Sequence, residues 1–377
     1  MTADLVPSSV LRPRATVLDV LAGRASLVGA RANASLAPGL VSPVEARVAL
    51  GIVYDDLAAA EAQYLETRSW RRDLGVLVRS LIASVLASGG SEVARRPWIV
   101  SAAVDNVTIP EALDSIFAPA PADRARIVHY AHAHALTVAR TDEGLRRAFA
   151  AADAVLPDGI GIRVAAAMHG VRMLDNVNGT DMLPLVCRRA SSEGLPLVLV
   201  GGAPGVADAC AENLAKAHPG LEVALVSHGF LDARQIARLV RQIRALGRCL
   251  VLVGMGSPIQ ERWAHEHLGA LGGVTALTVG GLFDFYSGRI RRAPVALREL
   301  GLEWAYRLAQ EPGRLARRYL LGNPRFLAMA MVDRLLGVRS AAPPRELAEE
   351  PMPASVPAMP ASGVVRIRGQ AADERAA

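Results

Sequence analysis

The sequence has little of what a membrane span, a disulfide scaffold or a nucleic-acid surface requires. No stretch of eighteen apolar residues runs without a charge, and the best candidate, residues 75–88, is short and carries Arg79. That length reads as a buried or interfacial helix rather than a span. The N-terminus lacks the apolar core of a secretory leader, so the expected location is the cytosol. Only Cys187, Cys210 and Cys249 are present, far apart and odd in number, which excludes a disulfide framework and a closely spaced zinc site. They read as ordinary buried thiols, and no metal or cofactor is expected. Aromatics make up 4% of the chain, too few for a base-stacking surface, so no nucleic-acid partner is expected. Lysine is almost absent, Lys216 being the only one.

What is abundant is arginine. The formal charge is +6, and arginines concentrate between residues 289 and 325, a basic cluster suited to lipid headgroups or a phosphorylated ligand. Residues 1–45 give no clean period. Residues 46–90 carry Leu57, Ala60 and Tyr64, then Leu74, Leu77, Leu81 and Val85, at helical spacing. Residues 91–97 read as a linker, 98–300 as an α/β domain, 301–338 as a basic appendage and 339–377 as a disordered tail. Within the α/β domain, fully apolar runs at 195–200, 221–226, 249–253 and 275–279 alternate with helical patterns. That alternation predicts a parallel sheet covered by helices on both faces, with ligands at the carboxyl ends of the strands.

Four of those ends carry unusual residues. LPDGIG at 156–161 puts Asp158 at a strand tip, where a carboxylate suits either a general base or a helix N-cap. LVLVGGAPG at 197–205 sets Gly201 and Gly202 between strand and helix, as a tight turn or a phosphate cradle; it is not G-x-G-x-x-G. VGMGSPIQERW at 253–263 opens a helix with Gln260 and Glu261. The amide can bond a uracil or sugar edge, and the carboxylate can complement the helix dipole. The fourth, TVGGLFDFYSGRIRRAP at 278–294, places Asp284 among aromatics as a ligand contact or a loop hydrogen-bonder. Beyond it, Arg307, Arg314 and Arg317 are spaced to share one side of a helix if Pro312-Gly313 leaves it continuous, and arginine forks suit diphosphates. The alternative is a solvated basic face.

In order, VLPDGIGIR, NVNGTDMLPLV, LVGGAPGV, HPGLEV, HGF, VGMGSPIQERW, GGLFDFYSGRIRRAP and GLEWAYRLAQEPGRLARRYL resemble the WecG/TagA/CpsF family of bacterial glycosyltransferases (glycosyltransferase family 26) over roughly residues 98–330. The resemblance implies a Rossmann-like α/β domain with a helical C-terminal appendage. It implies metal-independent, inverting transfer of a sugar (N-acetylmannosamine-type, uronic acid or hexose) from a UDP donor to an undecaprenyl-diphosphate-linked sugar. It also assigns roles. Asp158 becomes the base, and Gly159, Asn178, Gly201, Gly202, Gly254, Gln260, Glu261 and Asp284 become donor-binding positions. Arg307, Arg314 and Arg317 become diphosphate ligands, acting from a peripheral position on the inner face of the membrane, and homo-oligomers remain open.

The chain departs from the family pattern in two places. Tyr130 and His132 stand where the family has T-x-N or F-x-N, leaving His132 as a possible substrate contact, and Ile259 replaces the lysine of P-K-Q-E. Residues 1–90 are similar to the C-terminal end of polyprenyl-phosphate glycosyl-1-phosphate transferases, without their membrane helix or Asp-Glu pair, and read as a mostly helical remnant. These departures motivate a competing reading as a non-catalytic, membrane-associated assembly or regulatory subunit. A nucleotide-dependent oxidoreductase is disfavoured by the missing dinucleotide fingerprint.

Overall fold

The first described helix, α1 (Val17–Leu21), begins at a capping box in which Thr16 and Asp19 satisfy each other's backbone N–H groups. It leads into β1 (Ser26–Val28), which pairs in parallel with β2 (Gly39–Val41). α2 (Leu57–Glu66) and α3 (Trp70–Ser88) follow. The buried Glu61 carboxylate of α2 accepts the N–H groups of Arg31 and Asn33 and the Ser42 hydroxyl, which ties this unit together. The sequence predicts a mostly helical segment; the strand pair is an addition that three-residue runs are too short to announce. In this computed structural model the described residues are 15–31, 33, 36–45, 57–88, 93–294, 297 and 302–337. The helical pattern predicted for 46–56, the first two residues of the linker and the predicted tail at 339–377 lie outside them.

A short antiparallel pair, β3 (Trp98–Ile99) and β4 (Ala102–Ala103), and α4 (Ile109–Phe117) introduce the main sheet. Its strands alternate with helices: β5 (Arg126–Ala131), α5 (Ala133–Ala139), α6 (Glu143–Ala151), β6 (Ala154–Pro157), α7 (Ile160–Met168), α8 (Gly179–Glu193), β7 (Leu197–Gly201), α9 (Val206–Ala217), β8 (Val223–Ser227), α10 (Ala233–Leu246), β9 (Cys249–Gly254), α11 (Ile259–Trp263), β10 (Val274–Thr278) and α12 (Leu282–Tyr286). The strand order is β6-β5-β10-β9-β7-β8, and every pairing is parallel. The fold is therefore the helix-covered parallel sheet that the apolar runs predict, and it is Rossmann-like as the family resemblance implies.

Alternate residues of each strand feed opposite layers. Val128, Leu156, Leu199, Leu252 and Leu277 pack with Met182 and Val186 of α8 and Leu214 of α9. On the other face Ile127, Val198, Val200, Val251 and Ala276 meet Leu239 and Ile243 of α10 and Trp263. A neighbouring cluster joins Ala131 and Val155 to Leu136, Leu145, Phe149 and Ile162. Strands buried on both faces explain why the runs lack alternation. Cys187, Cys210 and Cys249 are buried and free.

The C-terminal appendage comprises α13 (Glu303–Gln310), α14 (Pro312–Ala316), a π-helical turn over Arg317–Leu321, and α15 (Gly322–Leu335). α15 inserts Phe326 and Ala330 into the cluster of Leu136 and Ile162. The buried Asp333 carboxylate takes two bonds from Arg140, at 2.8 and 3.0 Å. Arg140 also donates to the Val100 carbonyl at 2.8 Å. These contacts hold the appendage against α5 and α7, at the carboxyl edge of the sheet. Among the described residues no helix is long and apolar enough to cross a membrane.

Candidate active site

The six strands of the main sheet end on one edge, and the segments that follow them line a single cleft of about 1350 Å³. His132 follows β5, Asp158 follows β6, Gly202 follows β7, Gly229 follows β8, Met255 follows β9 and Gly280 follows β10. The appendage adds Glu303, Arg307, Arg314 and Arg318 to the lining. Parallel strands place ligands here because every loop of that edge projects the same way.

Asp158 is held at the tip of β6 by its own N–H, which donates to the Ala131 carbonyl at 2.9 Å. The N-cap of α7 is Gly159, at φ +86°, with no side-chain cap. Asp158 is therefore not the cap that its residue type suits, and glycine lets the chain make a turn that an L side chain resists. The half-buried Asp158 side chain lines the cleft. Burial and the Glu303 carboxylate push its pKa up to about 6, while Arg318 and Arg307 oppose them. Such a group is ionised at neutral pH yet basic enough to accept a proton.

The other positions fall into two sets. Gly159, Asn178, Gly202, Gly254, Gln260 and Asp284 line the cleft; Gly201 and Glu261 do not. A Cβ on Gly201, whose φ is +147°, would lie 2.2 Å from the Gly254 carbonyl oxygen. This glycine serves the close approach of β7 and β9 rather than a ligand. Asn178 caps α8, its Oδ1 accepting the Asp181 N–H at 2.8 Å. Asp284 pairs with Arg289 at 3.2 Å. Gln260 is buried, and its Oε1 accepts the N–H groups of Gly256 at 3.1 Å and Gly280 at 2.9 Å. It fastens the loops after β9 and β10 together, so the carbonyl expected to read a base or sugar edge is already engaged. Its amide donates to Glu261 Oε1 at 2.9 Å, which also accepts the Ser257 hydroxyl at 2.6 Å. Glu261 is fully buried, and burial raises its pKa.

The arginines are redistributed by a break in the helix. Glu311 leaves helical geometry at φ −132°, ψ 59°, Pro312 restarts the helix, and the π-helical turn then adds a residue to its winding. Arg307 and Arg314 reach the cleft, as their spacing allows, but Arg317 is exposed and outside it. Arg318 takes the inward position. Arg307 lies over the Phe285 ring at 4.9 Å and near Glu311 at 3.9 Å, and Arg314 also pairs with Glu311. His132 caps α5, with Nδ1 accepting the Ala135 N–H at 3.0 Å. Burial and the Arg318 charge lower its pKa well below the usual histidine value, so the ring is neutral. Tyr130 is buried against Gly179, its hydroxyl without a protein partner. Sequence reasoning missed Arg318 and Glu303. The only local signals are that each stands four residues from a predicted arginine, Arg314 and Arg307 respectively.

A parallel sheet whose carboxyl ends meet one cleft, lined by Asp158 and by the appendage arginines, defines the class of Rossmann-like α/β proteins with a ligand site at the strand ends. The family model described as the WecG/TagA/CpsF family of glycosyl transferases matches residues 97–340, more than half of the chain. The chain belongs to that family. It is accordingly a glycosyltransferase of cell-surface polysaccharide synthesis, a class that joins a sugar donor to a lipid-linked acceptor.

Proposed function

We propose that this chain transfers a sugar from a UDP donor to a sugar carried on undecaprenyl diphosphate, with Asp158 as general base. The observation that carries the reading is Asp158 itself: a carboxylate, raised to about 6, that lines one cleft with Arg307, Arg314 and Arg318. In the step proposed, the acceptor hydroxyl oxygen forms a bond to the anomeric carbon as the bond from that carbon to the UDP oxygen breaks. The hydroxyl proton passes to Asp158, and UDP departs with the electron pair. Attack from the face opposite the leaving group inverts the anomeric centre. Arg307 and Arg314 stabilise the diphosphate charge without a metal, and the N–H groups of the glycine loops assist. Gly159, Asn178, Gly202, Gly254 and Asp284 remain the proposed donor contacts.

A lipid-linked acceptor requires the cleft to work at a membrane surface, and we place the protein there peripherally. Exposed Trp70, Leu74 and Leu81 on α3, and Leu320, Leu321, Leu335 and Leu336 on the appendage, support that placement. The deciding experiment incubates the protein with a UDP-sugar panel and a lipid-diphosphate-sugar acceptor. Turnover with at least one donor is expected, and Asp158→Asn lowers kcat by about 10²–10⁴-fold with UDP binding retained. Full activity of that variant removes the aspartate from its role. Absence of turnover across the panel, with lipid binding intact, supports a non-catalytic assembly role instead.

A further inference from the structure

A neutral imidazole has one acceptor nitrogen and one N–H. In His132 the choice is made by the helix it begins. Its Nδ1 accepts the Ala135 N–H at 3.0 Å, so the proton sits on Nε2. Across from it, Arg318 Nη2 lies 3.3 Å from Nε2 and 3.5 Å from Nδ1. Guanidinium only donates, and the near-equal distances set that nitrogen beside the ring rather than in line with a lone pair. Two donors therefore converge with no acceptor between them.

Arg318 has an electrostatic deficit of its own. Its Nε is buried without a hydrogen-bond partner. Arg307 and Arg314 share Glu311, whereas among the described residues Arg318 makes no ion pair. Burial and the charges of Arg307 and Arg314 all disfavour its cation, with Asp158 and Tyr319 opposing them. What relieves converging donors and an unpaired cation is a single oxyanion. The seven-residue helix α5 contributes only the tautomer.

We propose that His132 Nε2–H and the Arg318 guanidinium form an oxyanion subsite for one phosphate of a diphosphate ester. The guanidinium fork takes two oxygens and the imidazole N–H a third. The subsite deepens the transfer reaction proposed above by placing a phosphate beside Asp158. It is read through binding alone, so its fate is separable from that of the reaction. Both the nucleotide donor and the lipid acceptor carry this chemistry.

The test measures binding of inorganic pyrophosphate, UDP and a short-chain polyprenyl diphosphate by calorimetry, with the full chain. His132→Asp keeps a good helix cap but replaces the N–H with an anion. It is expected to melt no lower than wild type while binding pyrophosphate about tenfold or more weakly, and Arg318→Gln does the same. His132→Asn, which offers both a cap acceptor and an N–H, recovers part of what the Asp variant loses. Loss confined to UDP assigns the subsite to the donor, loss confined to the polyprenyl diphosphate assigns it to the acceptor, and loss of both makes it shared. Wild-type affinity for all three probes in either His132→Asp or Arg318→Gln overturns the proposal, as does a wild-type protein that binds none of them. If His132→Asp fails to fold, Arg318→Gln decides alone. Pyrophosphate binding that depends on both residues, in a protein that transfers no sugar, upholds the subsite and removes the reaction.

Discussion

A side chain that takes a proton from a sugar hydroxyl works best with a pKa near the working pH, and Asp158 is brought there by opposed influences. Burial and Glu303 raise it, and Arg318 and Arg307 hold it to about 6. The proposed base must be ionised, so activity should rise with pH through about 6 and then level off. Stability should move the opposite way. The folded-state pKa lies above the ordinary aspartate value of about 3.9, so the native state holds this proton more tightly than the unfolded chain does. The stabilisation is present in full below pH 4 and is lost as pH rises from about 4 to about 6. Asp158→Asn should therefore melt higher than wild type at neutral pH, and the gap should narrow on acidification toward pH 4. Melting curves across that range check the sign; a variant that melts lower at pH 7 shows that the carboxylate has stabilising partners.

At the scale of elements, the appendage has to hold its arginines over a cleft built by another part of the chain. Its anchor is α15, with Phe326 and Ala330 in the core and Asp333 bound to Arg140. Arg140 is 40% exposed and Asp333 is 2% exposed. Removing the carboxylate thus leaves a partly solvated cation rather than a fully buried one. Asp333→Ala should cost about 1–3 kcal/mol, below the full cost of breaking a buried pair. Because α15 carries the turn that presents Arg318, the same variant should weaken pyrophosphate binding while the sheet stays folded. Denaturant unfolding together with calorimetry measures both; unchanged affinity shows that the arginines are positioned without α15.

For the whole molecule, charge and exposed apolar residues act together. The net charge of +6 and the exposed Trp70, Leu320, Leu321, Leu335 and Leu336 suit an anionic lipid surface. Sedimentation with vesicles containing phosphatidylglycerol should carry the protein down, and with neutral phosphatidylcholine vesicles much less. Raising salt to about 0.5 M should release most of it, since the Debye length shrinks to a few ångströms. Trp70→Ser and Leu335→Ser, made separately, should tell whether α3 or the appendage meets the bilayer. Equal recovery in the supernatant with both lipids removes the peripheral placement.

The apolar runs at 195–200, 221–226, 249–253 and 275–279 determined the parallel sheet, because strands buried on both faces need no alternation and helices must cover them. The same local logic placed Asp158 at a strand tip and kept Gly202 and Gly254 beside the cleft. What local sequence leaves undecided is how one segment meets another. Gly201 and Gly202 read alike, yet the approach of β9 consumes one and leaves the other facing the cleft. Gln260 reads as a free amide until the loop after β10 closes on it. Seven-and-three spacing selects Arg317 on an unbroken helix, but the break at Glu311 and the π-helical turn bring in Arg318. Strand periodicity and turn chemistry act over a few residues and survive in the sequence. Which donor faces which cation is settled only when elements distant in the chain pack, so the pairing of His132 with Arg318 belongs to the tertiary structure alone.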